Sequence, residues 1–245
     1  SDQNYPCRYQ GKRYSTYVMR VSFCIPTYES KGKAQRYLFD IFYALANQTN
    51  KDFNVWISDH SKTDVVLEAC KEYANEFEIN YVKNEDKRGQ ISANTNCALR
   101  HADGEILKVM FQDDFILTKN LVEELDKAFA DEVDWAVTGF AHTLDDGHTH
   151  YNPKIPEYND RLLEGVNTLS SPSILAMRNG IDEYFDEKLT MLMDCDMYYR
   201  LYKYHGDPAV LTDYHISNRE HQNQTQRTYE HLIPTEIDYL KEKHT

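Results

Sequence analysis

Asp113 and Asp114 stand side by side, one residue (Gln112) beyond the apolar run Ile106-Leu107-Lys108-Val109-Met110-Phe111. A buried strand that ends in neighbouring carboxylates aims negative charge out of a sheet edge, and a divalent cation relieves the repulsion. Hard carboxylate oxygens suit Mg²⁺ or Mn²⁺, which commonly bridge to substrate phosphates. Two more polar groups follow apolar runs in the same way. They are Pro26-Thr27-Tyr28-Glu29 after Val21-Ser22-Phe23-Cys24-Ile25, and Ser58-Asp59-His60-Ser61 after the run from Phe53 to Ile57. Each alone reads equally well as a helix cap or turn. Three of them at the same end of three strands describe a ligand edge, because open α/β sheets bind ligands outside the carboxyl ends of their strands. Glu29 and Asp59 are acceptor-only groups that suit a base N–H or ribose hydroxyls. The pattern is that of a nucleotide-diphosphate pocket without a Gly-rich phosphate loop: neither G-x-G-x-x-G nor G-x-x-x-x-G-K-[ST] occurs.

The elements that must position these groups alternate. Strands are predicted at 21–25 (stopping at Pro26), 53–57, 79–82, 106–111 and 133–140. Helices are predicted at 34–46, 65–77, 91–101 and 121–129, the last capped by Thr118. Alternation of this kind implies right-handed βαβ units and a mostly parallel sheet flanked by helices, an α/β fold. The segment from His142 to Asn167, rich in His, Asp, Asn, Pro and Tyr, reads as a long polar connection in which His142, His148 and His150 need no metal to explain them. A short run at 174–177, a helix at 194–204 and a C-terminal helix within 228–243 follow. One domain is expected over residues 20–226, with 1–19 as an N-terminal extension and 227–245 as a helix packed on the same domain.

Composition bounds the partners. With 245 residues and 41% hydrophobic content the chain can bury a substantial core. Acidic residues outnumber basic ones, 40 to 27, for a formal net charge of −13. That argues against nucleic acid or an anionic membrane surface as partner, and an anionic substrate would need a cation or a few placed Lys and Arg side chains. No apolar run reaches the length of a spanning helix and no secretory leader opens the chain. Cys7, Cys24, Cys70, Cys97 and Cys195 are odd in number and scattered, which reads as reduced thiols in a cytoplasmic setting.

Several of these stretches together resemble the family 2 glycosyltransferases of GT-A fold. The resemblance runs through VSFCIPTYE (21–29), Ile57-Ser58-Asp59-His60-Ser61, Arg88-Gly89, Asn94 and Asn96, Ala102-Asp103-Gly104-Glu105 and Gln112-Asp113-Asp114. It continues in Met193-Asp194-Cys195-Asp196-Met197-Tyr198-Tyr199-Arg200-Leu201, similar to the family's acidic motif, and in 215–226 with Arg219, His221 and Gln222. The resemblance implies a sugar transferase that uses a nucleotide-diphosphate sugar, a UDP-sugar being the expected donor, with Mn²⁺ or Mg²⁺ and inversion at the anomeric carbon. It implies nucleotide contacts at Pro26, Thr27, Tyr28, Glu29, Asp59, Gln90, Asn94, Gln112 and Asp113, with Asp59 on the base. Metal contacts fall to Asp113, Asp114 and His221, and Asp194 takes the place of the catalytic base. Phe111 stands where the first Asp of an Asp-x-Asp motif is usual, Met193 where a Glu precedes the base, and Thr95 where an Arg often precedes Asn96.

From the residues alone, Asp194 fits a base as well as it fits a helix cap. A helix N-terminus favours an ionised carboxylate, which can take a proton from an attacking hydroxyl. Two other functions compete: a sugar-nucleotide pyrophosphorylase, which would carry a Gly-rich basic loop after the first strand, and a binding-only relative. The acceptor (glycan, lipid-linked or protein) is not legible.

Overall fold

The computed structural model describes residues 8–10, 18–144, 147–220 and 228–245. Among them, ten strands form one curled sheet with helices against it. In chain order the elements are β1 (Arg8–Gln10), β2 (Val21–Thr27), α1 (Ala34–Ala46), β3 (Phe53–Asp59), α2 (Val65–Tyr73), β4 (Ile79–Lys83), α3 (Ile91–His101), β5 (Ile106–Val109), β6 (Phe115–Ile116) and α4 (Leu121–Ala128). Then follow β7 (Trp135–Leu144), β8 (His150–Lys154), β9 (Leu175–Arg178), α5 (Met193–His205), β10 (Ala209–Glu220) and a C-terminal helix, α6 (Ile233–His244).

The sheet order is β1-β4-β3-β2-β5-β9-β7-β10-β6, with β8 on β7. β4, β3, β2, β5, β7 and β10 point one way, while β1, β9, β6 and β8 run against them. β2, β3 and β5 are buried along their whole length, as continuous apolar runs in a covered parallel sheet must be. Phe42, Tyr73, Phe77 and Phe53 interlock α1 and α2 over β3, with ring centroids 5.4–5.8 Å apart between neighbours. Behind the strands, a Cβ at Gly104 would lie 2.6 Å from Ser22 Oγ, which accepts the Gly104 N–H at 2.8 Å. Only glycine fits that approach.

Several expected boundaries move. Pro26 lies inside β2, which runs on to Thr27. Its missing N–H faces the β5 side, where pairing has already ended at Cys24–Val109, so the ring interrupts no ladder. β5 stops at Val109 and α2 at Tyr73. Asn120, not Thr118, precedes α4, and the Thr118 hydroxyl instead meets His215 Nδ1. The 142–167 connection is partly strand. β7 runs to Leu144, β8 covers 150–154, and a 3-10 turn covers 160–164. His142 and His150 therefore sit on strands, not in a loop.

Candidate active site

The carboxyl ends of β2, β3 and β5 meet in one hydrogen-bonded lattice. Asn94, buried on α3, donates to the Thr27 carbonyl at 3.1 Å and accepts from Ser58 Oγ at 2.7 Å. Asp59 is fully buried at the end of β3. One oxygen accepts from Ser61 N (2.8 Å) and Thr27 Oγ1 (3.3 Å), the other from Tyr81 OH (2.7 Å) and Lys83 Nζ (3.3 Å). Thr27, Asp59 and Asn94, all expected at the nucleotide, thus hold the strand ends in place. The open rim is formed by their neighbours.

Tyr28 is 47% exposed, and Gln90, at the N-terminus of α3, is exposed as well. Glu29 is half-buried. Burial works against its charged form, but the backbone N–H groups of Lys62 and Thr63 outweigh it and hold the carboxyl below its ordinary value. Gln112 fastens this rim to the end of β5, accepting from Tyr28 N at 3.1 Å and donating to Ser30 Oγ. Arg88 donates to the carbonyls of His60 and Ser61 at 2.8 Å each.

Asp113 and Asp114 divide their work. Asp114 is buried and accepts from Arg219 N (3.1 Å), Asn218 Nδ2 (3.1 Å) and Ser171 Oγ (3.2 Å). Burial, reinforced by the charge of Asp113, raises its carboxyl to about 6. Asp113 keeps part of its surface open and lies close enough to Tyr28 to help burial raise that phenol. Two buried cations brace the turn. Arg219 Nε donates to the Asp113 carbonyl at 2.7 Å while its guanidinium, paired with Asp40 at 2.5 Å, sits over the rings of Phe115 (4.0 Å) and Tyr37 (4.3 Å). Lys108, with no exposed surface, donates to the carbonyls of Val109 (2.8 Å) and Ser173, and burial lowers it to about 7 despite Asp114 nearby. The sequence reading passed over Lys108. Its one signal is a charge in the middle of an apolar strand.

Asp194 lies in the first turn of α5, partly open to solvent. Its oxygens accept from Cys195 N (2.7 Å) and Asn167 Nδ2 (2.9 Å), and burial raises the carboxyl to about 6. Two residues on, Asp196 is wholly buried between Arg200 (2.9 Å), Lys243 (2.7 Å) and His244 (2.8 Å). The approach to α5 is held from α6, where Glu236 accepts from the N–H groups of Thr190, Met191 and Leu192 at 2.8–2.9 Å. Neither acid of the motif is an ordinary surface residue. One is open and perturbed; the other is locked to the C-terminal helix.

His221 lies outside the described residues. Among the described ones, no three His, Cys, Asp or Glu side chains gather as a metal cage. A cation held by Asp113 and by diphosphate oxygens requires no such cage. A concavity of about 540 Å³ lined by Phe129, Asp131, Asp134 and Arg178 opens at the opposite strand ends, away from all of these groups.

Comparison with known proteins decides the family. The sequence profile described as glycosyl transferase family 2 matches residues 22–200. The chain belongs to glycosyl transferase family 2. Membership in a glycosyl transferase family, not a nucleotidyl transferase one, sets the pyrophosphorylase alternative aside. This family 2 transferase is 29% identical over 117 residues to the poly(ribitol-phosphate) beta-N-acetylglucosaminyltransferase TarS of Staphylococcus aureus, a match covering 47% of the chain and 19% of TarS. It superimposes on TarS residues 1–349 with a TM-score of 0.65 at 23% identity, covering 89% of this chain and 65% of that one. TarS has also been solved with UDP and with UDP-GlcNAc. A mannosyltransferase from Pyrobaculum calidifontis, solved with GDP-Man and Mn²⁺, superimposes with a TM-score of 0.58 at 16% identity, covering 94% of this chain and 66% of that one. The family 2 chain shares the GT-A fold of these proteins, and its superposition spans 39% of the full TarS chain.

Proposed function

We propose that this family 2 chain transfers a sugar from a UDP-sugar to an acceptor hydroxyl, with inversion and with Asp194 as general base. The observation that carries the reading is Asp194 itself. A carboxyl raised to about 6, partly open and aimed by Asn167 and the Cys195 N–H, is ionised at neutral pH yet basic enough to accept a proton. A module that only binds nucleotide has no use for such a group.

In the proposed step, the acceptor oxygen forms a bond to the anomeric carbon as that carbon's bond to the diphosphate oxygen breaks. The hydroxyl proton passes to Asp194. A single displacement with the base across from the leaving group inverts the configuration. Tyr28, Glu29, Gln90 and Gln112 border the nucleoside, while Thr27, Asp59 and Asn94 hold the strand ends beneath it. Asp113 would hold Mn²⁺ or Mg²⁺, whose chemistry is to neutralise charge on the departing diphosphate. That TarS has been solved with UDP and the Pyrobaculum calidifontis mannosyltransferase with Mn²⁺ supports a uridine nucleotide and a divalent metal as the ligands proposed here.

A cytoplasmic setting is proposed on the four buried free thiols Cys24, Cys70, Cys97 and Cys195; no described helix is long and apolar enough to cross a membrane. The test of the reading is Asp194→Asn. UDP-GlcNAc turnover should fall by ~10²–10⁴-fold while UDP affinity is kept. Loss of both in proportion would contradict a base role.

A further inference from the structure

Asn167 makes four hydrogen bonds within the protein. Its Oδ1 accepts from Leu169 N (2.9 Å) and Ser170 N (3.2 Å), and its Nδ2 donates to the Ser170 carbonyl (2.9 Å) and to Asp194 Oδ2 (2.9 Å). That uses every donor and most of the acceptor capacity of the amide. A flipped amide would set its oxygen against two other oxygens, so its orientation is fixed by its partners.

The segment that follows is tied in the other direction. Ser170 Oγ donates to Asn218 Oδ1 at 2.8 Å, and Asn218 Nδ2 donates to Asp114 (3.1 Å) and to Ser171 Oγ (2.7 Å). Ser171 Oγ completes the set on Asp114, and the Ser171 carbonyl accepts from Tyr198 OH at 3.0 Å. At the centre, Ser170 holds φ at 135°, a conformation that a side-chain-bearing residue keeps only when its surroundings impose it. A positive φ at the middle of a saturated polar chain between Asp194 and Asp114 marks a device, not an ordinary loop.

We propose that Asn167 is a positioning residue for Asp194, and that residues 167–171, through Ser170, Ser171 and Asn218, tie the base to the Asp113–Asp114 turn. The inference rests on the reading of Asp194 as base. It fixes the base relative to the carboxylates expected at the diphosphate, so both ends of the reacting bond are referred to one frame. Among the described residues, the titratable groups facing Asp194 are Cys195 and Tyr198, both on α5; segment 167–171 contains none.

The informative variant is Asn167→Asp. It keeps an oxygen for the Leu169 and Ser170 N–H groups, but it replaces the donor to Asp194 and to the Ser170 carbonyl with an acceptor. The experiment follows UDP release from UDP-GlcNAc, with water as acceptor, across acid to neutral pH for wild type, Asp194→Asn and Asn167→Asp. Expected for Asn167→Asp is at least a tenfold fall in kcat at unchanged KM, with the acid limb moved to higher pH. Ser170→Ala, which removes one hydroxyl and no backbone bond, should lower kcat severalfold at unchanged KM and covers the case of an unfolded Asn167→Asp. If Asp194→Asn is inactive while both other variants match wild type in kcat and pH limb, the positioning role is overturned and the base role stands. An active Asp194→Asn overturns the base role instead. Carboxyl ¹³C NMR titration of Asp194 in wild type and Asn167→Asp needs no turnover: a rise in its pKa supports the link, and an unmoved titration overturns it.

Discussion

At the scale of single residues, Asp194 is kept in a state that costs stability. Its carboxyl stands at about 6 in the folded chain against ~3.9 when unfolded, so the native state binds its proton more tightly. The stability this lends is present below pH ~4 and is lost as pH rises through about 6, where the charged form must be carried in a desolvated place. A shift of that size at full strength is somewhat under 3 kcal/mol, and partial exposure lowers the expected gain of Asp194→Asn at neutral pH to ~1–2 kcal/mol. Thermal melting of the variant at neutral and acid pH checks this: the gain should vanish on acidification. Turnover should show the opposite limb, falling as pH drops through about 6. A kcat profile flat through that range would place the proton elsewhere. Asp194 was legible through its motif. Its perturbation was not, because desolvation depends on what α5 packs against.

At the scale of elements, the C-terminal helix holds the base's helix by its start. Glu236 satisfies the N–H groups of Thr190, Met191 and Leu192, and Lys243 and His244 close on Asp196 one turn further along α5. Hydrogen bonds to a charged partner contribute ~1.5–3 kcal/mol each where measured alone, and three sharing one carboxylate are not additive. Glu236→Ala should therefore destabilise by ~2–4 kcal/mol, lowering the melting temperature by roughly 5–15 °C. It should also reduce kcat more than donor affinity, because the slack appears at Asp194. Equal effects on both would show that α6 supports the fold alone. α1 and α3 were readable to the residue, since the apolar spacing marks them. Pro26 misled because its tolerance depends on where a neighbouring strand ends. Thr118 misled because its hydroxyl serves His215, 97 residues away. Local pattern reports local structure; partners such as Asp114 and Asn218, separated by 104 residues, leave no spacing to read.

At the scale of the whole molecule, with a net charge of −13, a diphosphate approaching the proposed site would meet an edge already carrying Glu29, Asp113 and Asp194. The buried Arg219 and Lys108 nearby are spent on Asp40 and on the backbone carbonyls of Asp113, Val109 and Ser173. Long-range repulsion from such a charge is screened only beyond ~8–10 Å at ordinary salt, so a site-bound divalent ion is the effective remedy. Donor affinity should accordingly depend on the metal. The direct measurement is thermal stabilisation by UDP, GDP, ADP and CDP, each with Mn²⁺, with Mg²⁺ and with chelator. A ligand at ~100 times its Kd contributes about 2.7 kcal/mol, an easily read shift. The account predicts a shift with UDP that needs the metal and disappears in Asp113→Ala. No shift with any diphosphate, or a UDP shift indifferent to both metal and Asp113, would contradict it.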